Sequence, residues 1–168
     1  LQKLKTNEYV ESKLNDLYDA ARLADSLSNI SFFSRSLVAG DIKDPLEFDL
    51  STAAASLAGT SKHVMVQASH WSHVVAIADL CYKIARGEEN FRNRPFLSLH
   101  VNHAVPPLRF DPESIKVMIE AVKRGIPVHC NVFGQLGASS PVTIAGSVAQ
   151  TLAENLAGLV AVHILDPD

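Results

Sequence analysis

Apolar residues recur along this chain at two alternating periods: spacings of three and four that mark helical faces, and every-other-residue spacings that mark strands. Val10, Leu14, Leu17, Ala21 and Ala24 share one helical face behind Thr6, a residue type that caps helices. A short strand follows at 30–33. Asp44-Pro45 opens a second helix to about Ala58, because aspartate accepts from the free N–H groups of a first turn and proline tolerates the first helical position. Residues 62–67 read as a second strand and 70–86 as a third helix closed by Gly87. Residues 96–102 read as a third strand, Asp111-Pro112 as the start of a helix closed by Gly125, and 126–133 as a fourth strand. Strand starts roughly 30 to 34 residues apart match one βα unit, so the pattern predicts a parallel sheet in a single domain.

A longer helix is predicted from Ser139-Ser140-Pro141, with serine as cap and proline in the first turn. Along it alanine returns every fourth residue, at Ala145, Ala149, Ala153, Ala157 and Ala161. This reads as a smooth ridge that lets another backbone come close. Thr143, Ser147, Gln150 and Glu154 form a polar stripe beside the ridge. Glu154 lies about three helical turns from the helix start, and a structural role is expected for it, bonding backbone or a neighbouring strand.

Alternation within the strands narrows the architecture. Ser98, His100 and Asn102 share one face opposite Leu97, Leu99 and Val101. His129, Asn131 and Phe133 stand opposite Val128, Cys130 and Val132, and His63, Gln67 and Ser69 opposite Val64, Val66 and Ala68. An open sheet covered on both sides by helices would be apolar on both faces, whereas a barrel tolerates an inner face that ends in a wet mouth. No GxGxxG follows the first strand, which removes the dinucleotide-binding signature. The fold class expected is therefore α/β, a (β/α)8 TIM barrel. Such a barrel needs about 250 residues, so the 168 present are expected to be roughly half of one, an internal portion that breaks off at Asp166-Pro167-Asp168.

Composition changes little in this picture. The chain is 47% hydrophobic, with 8 Gly, 8 Pro and a net charge of −3, which is ordinary for a globular domain. No basic run points to nucleic acid. Cys81 and Cys130 have no CxxC spacing and read as reduced core thiols of a cytoplasmic protein. The apolar run 156–165 is too short to span a bilayer and no signal-peptide pattern opens the chain, so no membrane anchor is expected.

Chemistry is expected where barrel strands end. His63, His100 and His129 come from adjacent strands, but with neither an HxH pair nor HExxH among them no metal is assigned. A metal-dependent hydrolase or lyase built on these histidines is the alternative enzyme, and a binding module without chemistry the alternative of another class. Near Trp71, His70 or His73 is expected to cap the third helix while the other faces solvent. The turn Gly134-Gln135-Leu136-Gly137-Ala138-Ser139-Ser140-Pro141 has two readings of equal standing. Its glycines admit a ligand whose carboxylate or phosphate meets the helix N–H groups, or they only make a tight turn that the serines cap. Phe33, Phe110 and Phe133 read chiefly as core residues; gathered at one rim, they would instead hold a cation against their ring faces.

Gly134-Gln135-x-Gly137-Ala138-Ser139-Ser140-Pro141-Val142-Thr143-x-Ala145-Gly146, continued by Gln150-x-x-Ala153-Glu154-x-Leu156-Ala157-Gly158-Leu159, resembles the trimethylamine methyltransferase family of corrinoid-dependent enzymes. Val105-Pro106-Pro107-Leu108-Arg109-Phe110 and Lys62-His63-Val64 are similar to further segments of that family. The resemblance implies a TIM barrel that passes a methyl group from a methylamine or quaternary amine, trimethylamine or glycine betaine among them, to the cobalt of a corrinoid (cobalamin) carried by a cognate partner protein. None of that cofactor would be held by this segment. Substrate contacts are expected from His100, Asn131, Phe133 and Gln135 as walls and from Ser139 and Ser140 at the anion end. No catalytic residue is assigned, and assembly with further copies of the chain is left open.

Overall fold

The computed structural model describes residues 1–3 and 6–167; Asp168, at the expected break, lies outside them. The chain begins with α1 (Leu14–Ser26), β1 (Phe32–Ser34), α2 (Pro45–Gly59), β2 (His63–Val66) and α3 (Trp71–Ala85). It continues through α4 (Glu88–Asn93), β3 (Leu97–Val101), the short strands β4 (Ala104–Val105) and β5 (Arg109–Phe110), α5 (Pro112–Lys123), β6 (Val128–Cys130) and α6 (Ile144–Leu165). The βα order matches the periodicity, and the aspartate caps are in place. Asp44 accepts from the Glu47 N–H at 2.8 Å and Asp111 from the Ser114 N–H at 2.8 Å, each with proline just inside the helix.

Three local expectations are corrected. The first helix starts at Leu14 rather than after Thr6, because Asp16 accepts from the Lys13 N–H and closes its first turn. Between Gly87 and β3 the chain makes the six-residue helix α4, whose polar sequence hides its one core side chain, Phe91. The last helix starts at Ile144, with Thr143 as its cap, and not at Pro141.

The main sheet is parallel throughout, in the order β1-β2-β3-β6. Pairing of Phe32 with His63, Met65 with Ser98 and His100 with His129 puts these residues on one face. The opposite face presents Val64, Val66, Leu97, Leu99 and Val101. These pack on Ala53 of α2, Val74, Ile77, Ala78 and Cys81 of α3, Phe91, and Val117, Met118 and Ala121 of α5. Phe33 extends that face into a second cluster with Leu17, Ala21 and Ala24 of α1. Each buried Leu, Ile, Val, Met or Phe contributes about 1.5–3 kcal/mol by leaving water, and the helices that supply them stand on one side only. This is the consequence of a steadily advancing strand order: right-handed crossovers that never reverse direction put every helix on the same side, whereas a doubly wound sheet reverses at a switch point. The other face mixes Phe32 and Met65 with His63, Ser98, His100 and His129, and carries no helix among the described residues.

Both cysteines are free, and burial pushes the Cys81 thiol up to about 12. Helix α6 lies beside α5 and β6 with Ala161 and Val162 packed on the main core, while its polar stripe and Gly158 meet the turn 134–141 and the segment 103–108. Along its length Val148, Leu152, Leu156, Leu159 and Ile164 are left exposed. At 22 residues it is long and apolar enough to cross a membrane by length and composition alone, which the shorter run 156–165 did not suggest.

Candidate functional site

The carboxyl ends of β1, β2 and β3 converge on a cleft of about 360 Å³. Arg35 directly follows β1, Gln67 to Ser69 follow β2, and His100 to Asn102 close β3; the starts of α2 and α5 supply Phe48, Asp49, Asp111 and Glu113. This is where a parallel βα sheet places its ligands.

One wall is built around Arg35. Its Nη2 donates to Gln67 Oε1 at 2.8 Å, and its guanidinium lies 5.0 Å from the centre of the Phe48 ring. Burial lowers its pKa while the Asp49 charge opposes that shift. No carboxylate is ion-paired with it among the described residues. Asp49 is 2% exposed, and one oxygen, Oδ2, accepts from the Ser69 N–H, the Ser69 hydroxyl and His73 Nδ1, each at 2.7 Å. Serine, histidine and aspartate thus meet without forming a nucleophilic triad. The hydroxyl donates to the carboxylate instead of to the imidazole, and His73 turns its Nδ1 to that same oxygen. The group fixes the loop after β2. His73 is therefore mostly buried against Asp49, its Nδ1 hydrogen-bonded to that carboxylate, and does not face solvent as expected, while His70 does cap α3, accepting from the Ser72 N–H.

The second wall includes His100 and Asn102, where a polar row along the open face of the sheet reaches the cleft. His100 Nε2 lies 3.0 Å from Asn102 Oδ1 and 3.1 Å from Asn131 Nδ2. A ring nitrogen serves one of these at a time, so the tautomer decides whether His100 is tied to its own strand or across to the end of β6. One layer deeper, Ser98 is fully buried and its Oγ bridges His63 Nε2 at 2.8 Å and His129 Nε2 at 2.9 Å. Burial first, and then His129, lower the His63 pKa. The three histidines weighed as metal ligands thus go separate ways, two to Ser98 and one to the asparagines.

The turn 134–141 uses its polar groups internally. The N–H groups of Ala138, Ser139 and Ser140 all point to Gln135 O at 3.0 Å, and Ser139 Oγ accepts from the Gln135 N–H at 2.9 Å. Ser140 Oγ pairs with Ser147 Oγ at 2.7 Å. Gly137 has φ +76°, and a side chain at Gly134 would press on Thr151, so both glycines serve the turn and its seat on α6. The N–H groups of Ser139 and Ser140 are engaged inside the turn and the Ser140 hydroxyl on Ser147, and the helix N-terminus lies further on, at Thr143. Nor do the three phenylalanines gather at one rim. Phe33 faces the α1 cluster, Phe110 lies beside His103, and Phe133 is exposed beyond β6. Gln135 is exposed on the same segment.

Arg35, Asp49 and Ser69 were not singled out by sequence reasoning as binding groups. The available signal was positional: Arg35 directly follows a strand, as Gln67 does, while nothing in the local sequence marks a helical aspartate that reaches across to a loop.

The family description "Trimethylamine methyltransferase (MTTB)" matches residues 2–168. The chain is 31% identical over 159 residues to trimethylamine methyltransferase MttB of Methanosarcina barkeri, covering 94% of this chain and 32% of that protein. It is 27% identical over 155 residues to MttB of Desulfitobacterium hafniense, covering 92% and 31%. With MttB of Methanosarcina thermophila identity is 30% over 163 residues, covering 94% and 33%. The chain spans about a third of the length of these curated relatives. With a match along essentially its whole length, the chain belongs to the trimethylamine methyltransferase family.

Proposed function

We propose that this chain forms part of a (β/α)8 barrel methyltransferase that moves a methyl group from a methylated amine to the cobalt of a corrinoid carried on a separate protein. The observation that carries this reading is a cleft at the ends of three parallel strands, below a sheet face free of helices among the described residues, in a chain of this family. The corrinoid, on its partner, supplies the nucleophile. The residues here have to bind and orient the amine. When a methyl–nitrogen bond of a quaternary ammonium breaks, its electron pair stays on nitrogen and a neutral amine leaves, so no acid is required at the leaving group. His100, Asn102 and Asn131 suit that task, because polar side chains other than carboxylates orient a cation without pairing it tightly. Phe133 and Gln135, exposed on the segment after β6, extend the wall.

The charge pattern favours a substrate that also carries a carboxylate, such as glycine betaine. Arg35 is a partly buried guanidinium that, among the described residues, feels the charge of Asp49 but makes no ion pair, and a buried charge is stabilised by a counter-ion. This reading assigns the anion end to Arg35 instead of Ser139 and Ser140, whose N–H groups bond within their own turn. In the full-length enzyme, Arg35→Gln should raise KM for glycine betaine about tenfold more than for choline or trimethylamine. Equal losses for all three would withdraw the carboxylate anchor.

A further inference from the structure

Glu154 lies one face away from the cleft, 3% exposed in the middle of α6, yet its bonds reach both segments that follow the central strands. Its Oε1 accepts from the Leu108 N–H at 2.7 Å and from Gln150 Nε2 at 3.1 Å. The same Gln150 amide donates to Ser139 O at 2.9 Å, and the Glu154 carbonyl accepts from His103 Nε2 at 2.8 Å. Leu108 is held at φ +52°, a conformation that a leucine adopts only where its surroundings enforce it. Residues 103–110 form an excursion between Asn102 and Asp111, two residues of the cleft wall, and the Asp111 N–H donates to His103 O at its base. One buried side chain therefore ties the tip of this excursion to the turn 134–141 beyond β6.

We propose that Glu154 is a positioning residue that couples these two segments and thereby sets the spacing of Asn102, Asp111 and Asn131 around the substrate. A carboxylate oxygen suits the position because it accepts from two donors at once. Its second oxygen, Oε2, is buried without a partner, so the need met here is for an acceptor at Oε1 and not for an ion pair. The kinetic arm of the test rests on the methyltransferase reading; the exchange arm does not.

The test compares Glu154→Gln, which keeps an acceptor of the same shape, with Glu154→Leu, which fills the space without one, in the full-length protein. Amide hydrogen exchange of Leu108 and of residues 138–140 should quicken at least about tenfold in Glu154→Leu and stay near wild type in Glu154→Gln. KM for the methylated amine should rise about fivefold or more in Glu154→Leu with kcat within about twofold, and Glu154→Gln should restore it. Gln150→Ala, at a partly exposed position, should loosen 138–140 but not Leu108, and decides the coupling if Glu154→Leu fails to fold. Unchanged exchange in Glu154→Leu, equal damage from both Glu154 variants, or turn protection in Gln150→Ala equal to wild type would overturn the proposal. A wild-type protein that transfers no methyl group would instead contradict the function, with the exchange arm still deciding the role of Glu154.

Discussion

At Gly158 the face of α6 comes so close to His103 that a single methyl group would overlap the imidazole. The ring cannot retreat without giving up its bond to the Glu154 carbonyl. Gly158→Ala should therefore cost about 1–3 kcal/mol by overpacking, although glycine is a poor helix former and alanine the best. A measured gain in the denaturant midpoint would refute the close approach. His63 makes a second test at this scale. Its folded pKa is lowered by burial and by His129, so the unfolded chain takes up a proton that the folded one refuses. Stability from this group is complete above about pH 6.5, the ordinary value, and declines as the pH falls through that value towards the lower folded pKa. Denaturant midpoints between about pH 5 and pH 8 should show this slope, and His63→Gln should flatten it; an unchanged slope would mean that another group titrates. His100 and Asn131 could be named from alternation alone because strand ends point where the register sends them. Asp49 could not, since its importance comes from meeting Ser69 and His73 in space.

At the scale of elements, α6 shows where periodicity misleads. Alanine every fourth residue advances about 40° around a helix per step, so the row from Ala145 to Ala161 winds off any single face. Ala145, Ala149 and Ala153 end up exposed, and only Ala157 and Ala161 are half-buried. The docked stripe is instead Ser147, Gln150, Glu154 and Gly158, with Thr151 beside it, where steps of three and four hold one side. The helix start was misplaced for a related reason: Ser139 and Ser140 look like caps, but their N–H groups satisfy the Gln135 carbonyl in a turn that competes with helix. Thr143 is the cap that counts. Thr143→Ala should cost about 1 kcal/mol, and Pro141→Ala less than about 0.5 kcal/mol. The reverse order in thermal unfolding of the full-length protein would move the helix start back to Pro141.

For the whole molecule, the one-sided arrangement of helices was legible from the sequence because the polar face repeated on three strands in succession. The cleft was less so: it needs Arg35, Asp49 and the starts of α2 and α5, which meet only when the sheet is assembled. The isolated 168-residue chain has β1 and β6 as unpaired sheet edges and an apolar row on α6 open to solvent. At micromolar concentration it should self-associate in sedimentation; a monomer that unfolds cooperatively with a denaturant slope suited to its length would argue that these surfaces need no cover. The central claim, that the cleft presents a methylated amine for demethylation, is tested most directly by mixing the full-length protein with a reduced corrinoid protein and a methylated amine and following the cobalt absorption. The account predicts methyl transfer, with kcat/KM reduced at least about tenfold by His100→Ala and by Asn131→Ala. No transfer from trimethylamine, glycine betaine or choline, or full activity in both variants, would contradict it.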